Sequence, residues 1–207
     1  MQDLIDKYFI SHLSLPLKDA AKLRQDYYQQ YGLALEGLVR HHTIDPMEYN
    51  RQVDDALPLE NVIHEDQQLR ALLEDIDQSK IRLWLFTNAY VTHGKRVVHL
   101  LGVDDLFDGM TYCNYSAERL VCKPHAEMFA KAQHEAGAVS PADCFFVDDS
   151  FLNCQKAHEL GWTAAHLLEP EDPEPPVRAA KHQIRSLEEL RTLFPQFFKS
   201  SGNGTKT

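Results

Sequence analysis

A parallel α/β sheet joined to a helical appendage is the fold class this sequence predicts, on three observations. From about residue 62 onward, short apolar runs ending in small polar residues alternate with stretches of helical periodicity. Residues 1–61 show helical periodicity alone, with no alternation of the kind half-buried strands require. The 207 residues, 43% of them hydrophobic, suffice for one soluble domain with a good core and a small appendage.

In the appendage, Leu4, Ile5, Tyr8 and Phe9 fall on one helical face, and Ala20, Leu23, Tyr27 and Tyr28 continue the pattern before Gly32. A further helix follows Pro46, and Pro58 punctuates the region's end. The second region, residues 62–195, reads as strand 81–86, amphipathic helix 91–101 closed by Gly102, and short strand 110–114. Helix 124–136 follows, with Pro124 in its first turn and Gly137 past its end, the usual asymmetry of helix termini. Strand 144–147, helix 151–160 stopped by Gly161, and strand 163–168 complete a set of four strands with their crossovers. The proline-rich acidic run from Glu169 to Pro176 is an exposed loop. Ser186-Leu187-Glu188-Glu189 is a capping box opening a helix through Leu193, and residues 196–207 read as a disordered tail.

Charge and cysteine usage exclude several function classes. The net charge of -10 disfavours nucleic acid and anionic membranes as partners, since both reward clustered Lys and Arg. No run is long and apolar enough to span a bilayer, and Met1-Gln2-Asp3-Leu4-Ile5-Asp6-Lys7 lacks the layout of a secretory signal, so a cytoplasmic or nuclear protein is expected. Cys113, Cys122, Cys144 and Cys154 form no Cys-x-x-Cys pair, and the 11 histidines show no metal-ligand spacing. Cys113 and Cys144, on predicted strands, read as small buried hydrophobes.

The chemistry concentrates at strand ends. Asp148-Asp149, after Cys144-Phe145-Phe146-Val147 and before Ser150, suits Mg²⁺, a hard cation that prefers oxygen ligands. Leu85-Phe86-Thr87-Asn88-Ala89 is a strand ending in a hydroxyl and an amide, and Val121-Cys122-Lys123-Pro124 carries a lone ammonium before a helix. Hydroxyl, ammonium and paired carboxylates are what a phosphoryl-transfer site needs. Each has an ordinary structural reading: Thr87-Asn88 as a turn, Lys123 as a surface residue, Asp148-Asp149-Ser150 as an N-cap cluster. Their order and their matching placement at successive strand ends favour the site. His41, His42 and His93, and His125 and Arg119 beside the lysine, read as solvated or capping groups.

That order resembles the haloacid dehalogenase (HAD) superfamily: Thr87-Asn88 looks like its second motif, Lys123 its third and Asp148-Asp149 its fourth. A narrower likeness, carried by Tyr31 to Leu38 and by Leu85 to His93, is to the fungal pyrimidine 5'-nucleotidases and related nucleotide or lysophosphatidate phosphatases. The resemblance implies an Asp nucleophile attacking phosphorus, on an Asp-x-Asp motif of the first strand. No strand ahead of Leu83 reads that way. Asp75-Ile76-Asp77-Gln78-Ser79 spells something close, but the residues before it have helical spacing, and the second-motif strand follows too soon for a parallel crossover.

What the family implies for this chain follows. Thr87 and Lys123 are the expected catalytic residues; Thr87, Asn88 and Lys123 bind the phosphoryl group of a nucleoside monophosphate; Asp148 and Asp149 hold Mg²⁺, with Ser150 and Asn153 shaping the loop. The appendage is a cap inserted after the first motif, and the chain begins within the segment leading into it, so Met1 reads as an internal methionine. The first strand, central in the family between those of motifs two and four, is expected absent. The open edges predict a poorly stable, inactive phosphatase. A non-catalytic protein keeping a phosphate or Mg²⁺ pocket is the alternative; a true dehalogenase needs the same Asp and has no use for the metal pair.

Overall fold

The computed structural model describes residues 2–200. Four helices form the cap: α1 (Gln2–Leu13), α2 (Leu17–Tyr31), α3 (Ala34–His41) and α4 (Pro46–Gln52). The last starts as its sequence dictates, with Pro46 at the first turn and the Asp45 carboxylate accepting from Met47 N at 2.9 Å. Tyr8, Phe9, Ala20 and Tyr27 turn inward on the predicted face. Tyr28 does not: about 100° round the helix from Tyr27, it leaves the cap core and is 47% exposed.

Two glycines set the cap's packing. A Cβ on Gly37 would stand 2.2 Å from the Tyr27 ring, so α3 lies against α2 only because that atom is missing. Gly32, at φ +80°, caps α2 in the left-handed region and faces Lys123 O and the Pro124 ring, which a Cβ would meet at 2.7 and 2.4 Å. The cap's apolar interior continues without a break into Cys113, Tyr115, Cys122 and Met128 of the second region.

The second region runs α5 (Gln67–Glu74), β1 (Trp84–Thr87), α6 (Val91–Leu100), β2 (Gly109–Tyr112), α7 (Ala126–Ala136), β3 (Phe145–Asp148), α8 (Phe151–Glu159), β4 (Thr163–Leu167), β5 (His182–Ile184) and α9 (Leu190–Leu193). All strand pairs are parallel. Asp75, within the near-match to a first motif, is the C-cap of α5, not the end of a strand.

Several elements differ from the sequence reading: β2 ends at Tyr112 and β3 begins at Phe145, so Cys113 and Cys144 are buried but lie just outside the strands. Residues 81–83 precede β1; α7 starts at Ala126, with Pro124 outside it against Gly32; and β5, too short and too polar to stand out, adds a fifth strand. Residues 196–200 are not a loose tail: the Phe197 ring lies 4.6 Å from that of Phe145, Phe197 O accepts from Asp77 N, and Phe198 bridges Ile76. Apolar burial holds this segment, a signal its sequence carries in Phe194, Phe197 and Phe198. Residues 201–207 of the expected tail, and Met1, lie outside the described residues.

The sheet is interrupted. Among the described residues β1 pairs only with β2, and β3 leads a separate sheet ordered β3-β4-β5. Among the described residues no strand lies between β1 and β3; a cavity of about 370 Å³, lined by Trp84, Phe86, Phe145, Phe146 and Trp162 among others, separates them. Aromatic rings close its floor, Phe129 standing edge-on to both Phe86 and Trp162 with centroids 5.2 Å apart in each pair.

Candidate active site

The carboxyl ends of β1 and β3 lie either side of this gap, and Lys123 spans it. Its ammonium donates to Phe86 O and to Asp148 Oδ2, both at 2.6 Å. It also lies over the faces of Phe86 and Phe146, 4.7 and 5.3 Å from their centroids. The lysine and aspartate side chains are only 5% and 9% exposed, so this is a buried ion pair whose partners cannot fall back on water.

Asn88 holds the lysine from behind. Its side-chain amide donates to Lys123 O at 2.9 Å and accepts from Lys123 N at 2.7 Å, a two-point clasp on the loop backbone. Asn88→Ala leaves two part-buried backbone groups without partners and is expected to lower unfolding free energy by about 1–3 kcal/mol in urea titration. No loss of stability would show that the clasp contributes nothing.

The Asp148 carboxylate is fully engaged: Oδ1 accepts from Ser150 N and from Asn153 Nδ2, both at 2.9 Å, while Oδ2 takes Lys123. Asp149 is exposed, and among the described residues its carboxylate accepts no hydrogen bond from the protein. Two adjacent carboxylates, one fixed by three donors and one free toward solvent, fit a hard cation that keeps several of its waters. Asp149 O accepts from His166 Nε2 at 3.1 Å, which steadies the turn.

Thr87 closes its own turn, its hydroxyl oxygen accepting from Ala89 N at 3.0 Å. The hydroxyl proton is thereby left to donate. Lys123, Asn88 and Asp148 thus meet in space, and Thr87 stands next to Asn88 at the end of β1. Arg119 does not join them; it pairs with Glu127 on the surface. His41 and His42 bond the hydroxyls of Tyr31 and Tyr27 within the cap, and His93 is buried.

Two contributors are invisible in the local sequence. The Phe86 carbonyl becomes a lysine ligand only because β1 lacks a neighbour on that side. Tyr28 of α2 comes near Ser150, Asp148 and Asp149; burial raises the pKa of its hydroxyl, Ser150 opposes the rise, and the two aspartate charges add to it. Burial, reinforced by the neighbouring Asp148 charge, likewise pushes the Cys154 thiol up to about 12, so Cys154 is an inert core thiol under the turn.

A lysine–carboxylate pair with a free aspartate beside it, at the carboxyl ends of parallel strands, is the site of an α/β enzyme fold. The chain belongs to the haloacid dehalogenase-like hydrolase family, whose model matches residues 6–161. Phosphate metabolism protein 8 of Saccharomyces cerevisiae is 38% identical over 178 residues, covering 82% of this chain and 56% of that protein. The chain therefore spans little more than half the length of this relative. Among solved structures, the HAD-hydrolase YfnB from Bacillus subtilis, bound to magnesium, matches with TM-score 0.61 at 14% identity over 93% of this chain and 90% of that one. A HAD phosphatase from Thermococcus onnurineus matches with TM-score 0.55 at 16% identity, covering 93% and 87%. At such identities these two likenesses establish the fold. No helix among the described residues is long and apolar enough to cross a membrane.

Proposed function

We propose that this chain carries the binding half of a Mg²⁺-dependent phosphomonoesterase site, of the kind that acts on pyrimidine nucleoside monophosphates, and that this exact chain does not turn over. The observation that carries the reading is the buried Lys123–Asp148 pair at 2.6 Å, in which the lysine also binds Phe86 O and so joins the ends of β1 and β3, with Asp149 free beside it. Lys123 supplies positive charge to an anionic phosphoryl group in a protein of net charge -10. Thr87 donates its hydroxyl proton to a phosphoryl oxygen, and the Asn88 clasp keeps the lysine loop in register with it. Asp148 and Asp149 would hold Mg²⁺, which when bound neutralises phosphate charge. The relative's name, a phosphate metabolism protein, agrees with a phosphorylated substrate.

The inactivity follows from the missing nucleophile. Among the described residues, the one place where three His, Cys, Asp or Glu ligand atoms lie within 4.8 Å of one another is Glu36, Cys122 and His125, so no third such atom stands that close to both Asp148 and Asp149. That observation also favours a second reading, a non-catalytic protein that binds phosphate and Mg²⁺ at the same place. Purified chain is expected to release no phosphate from UMP or CMP with Mg²⁺ present; robust turnover would overturn the proposal. Calorimetry with UMP and Mg²⁺ then separates a binding protein, which gives saturable heat, from one that has lost the pocket.

A further inference from the structure

Folding assembles a second cluster that spacing along the chain does not announce. Glu36 of α3, together with Cys122 and His125 on the two sides of Lys123-Pro124, brings a carboxylate oxygen, a thiol sulfur and an imidazole nitrogen within 4.8 Å of one another. Cys122 Sγ donates to Glu36 Oε2 at 2.7 Å, and His125 Nε2 lies 2.7 Å from Glu36 Oε1. Glu36 and Cys122 are buried, while the His125 side chain is 37% exposed and leaves a path in from solvent. We propose that Glu36, Cys122 and His125 form a binding site for a zinc-class divalent cation, one that ties the cap to the loop bearing Lys123.

The donor set selects the metal. Sulfur, imidazole nitrogen and one carboxylate suit Zn²⁺, and three protein ligands leave a fourth, open position, whereas Mg²⁺ demands oxygen. The geometry is close to what zinc needs. With Zn–S of about 2.3 Å and Zn–O of about 2.0 Å, tetrahedral ligands stand about 3.5 Å apart. The present 2.7 Å contact between Cys122 and Glu36 then opens by less than about 1 Å.

The metal's own ligands meet its charge, and the half-exposed Arg40 guanidinium keeps its charge toward water. The cation takes the place of the Cys122 thiol proton, which leaves to solvent, so the thiolate and the Glu36 carboxylate neutralise the two positive charges while His125 ligates as neutral imidazole. Arg40 leaves Oε2 to the sulfur but shares Oε1 with the imidazole, its Nη2 standing 3.5 Å from His125 Nε2. Its Nε and Nη2 donate to Glu36 Oε1 at 2.9 and 2.6 Å, whereas Oε2 faces the sulfur. Arg40 thus orients the carboxylate for the metal, and in the metal's absence it balances the buried charge.

The test uses the whole chain with Co²⁺ and Zn²⁺ as probes. Co²⁺ is expected to give a thiolate-to-cobalt charge-transfer band, and Zn²⁺ to bind one equivalent in competition with a chromophoric chelator, undisturbed by excess Mg²⁺. Cys122→Ser is expected to abolish the band and weaken Zn²⁺ by about 100-fold or more, since even outer partners of a metal site are worth 10–100-fold. His125→Ala, at a half-exposed position that the fold tolerates, should weaken Zn²⁺ comparably while circular dichroism stays unchanged. Absence of the cobalt band in the wild-type chain overturns the proposal without reference to any variant. So does zinc binding that survives Cys122→Ser but disappears in Asp148→Asn/Asp149→Asn, which would place the ion at the carboxylate pair. A failure of UMP hydrolysis or binding bears on the phosphatase reading and leaves these outcomes untouched.

Discussion

Replacing Lys123 with methionine is expected to lower unfolding free energy by about 3–5 kcal/mol, the cost of breaking a buried ion pair from one side. The substitution keeps the length and the apolar stem but removes two hydrogen bonds of the ammonium at once. Asp148 loses the donor on Oδ2 while Ser150 N and Asn153 still hold Oδ1, and the Phe86 carbonyl faces the cavity with no partner. For a chain of this size each kcal/mol moves the melting midpoint by roughly 2–4 °C, so a fall of roughly 6–20 °C is anticipated. The double variant Lys123→Met/Asp148→Asn discriminates the cause. If the penalty comes from an uncompensated buried carboxylate, neutralising Asp148 recovers much of it, and the cycle shows a coupling well above 0.5 kcal/mol. A single-variant loss under about 1 kcal/mol would mean that the pair is solvated and the sheet gap is wet.

The other large effect concerns the gap itself. Extending the chain ahead of Gln2 with an apolar strand ending in Asp-x-Asp, on a flexible linker, is expected to raise Mg²⁺-dependent phosphate release from UMP from background to the order of 1 s⁻¹ or more. Two sheet edges are free: among the described residues β1 and β3 each pair on one side only, and their separation is a slot rather than a closed contact. A strand there would satisfy backbone groups on both edges, at about 0.5–1.5 kcal/mol for each net hydrogen bond. The same extension with both aspartates changed to asparagine should stabilise the chain without restoring chemistry, which separates the structural contribution of the strand from that of the nucleophile. If neither stability nor turnover changes, the cavity is not a strand site, and the proposed reason for inactivity falls with it.

Periodicity and strand-end chemistry are local properties, and they made much of this molecule readable in advance. Alternating apolar runs and helical stretches marked β1 to β4 because each buried strand must present a continuous apolar run, and each crossover helix an apolar stripe. Thr87, Asn88, Lys123 and Asp148 were legible as a group because the carboxyl ends of parallel strands lie along one edge. β5 escaped notice since His182-Gln183-Ile184 owes its pairing to β4 rather than to its own composition. The folded-back segment of residues 196–200 is a related case: Phe197 and Phe198 mark it as apolar, but the partner Phe145 is distant in sequence and only packing brings it near.

By itself, the sequence determined the fold class, the order of the strands and the residue types that would gather at their ends, since these depend on spacing between near neighbours. Tertiary structure decided what those residues touch. The interruption between β1 and β3, the carbonyl of Phe86 as a partner of Lys123, the approach of Tyr28 to Ser150, and the convergence of Glu36 with Cys122 and His125 all join segments far apart along the chain. Such contacts are set by how helices and sheets pack in three dimensions, and no short-range pattern encodes the distance between two atoms that meet only after packing.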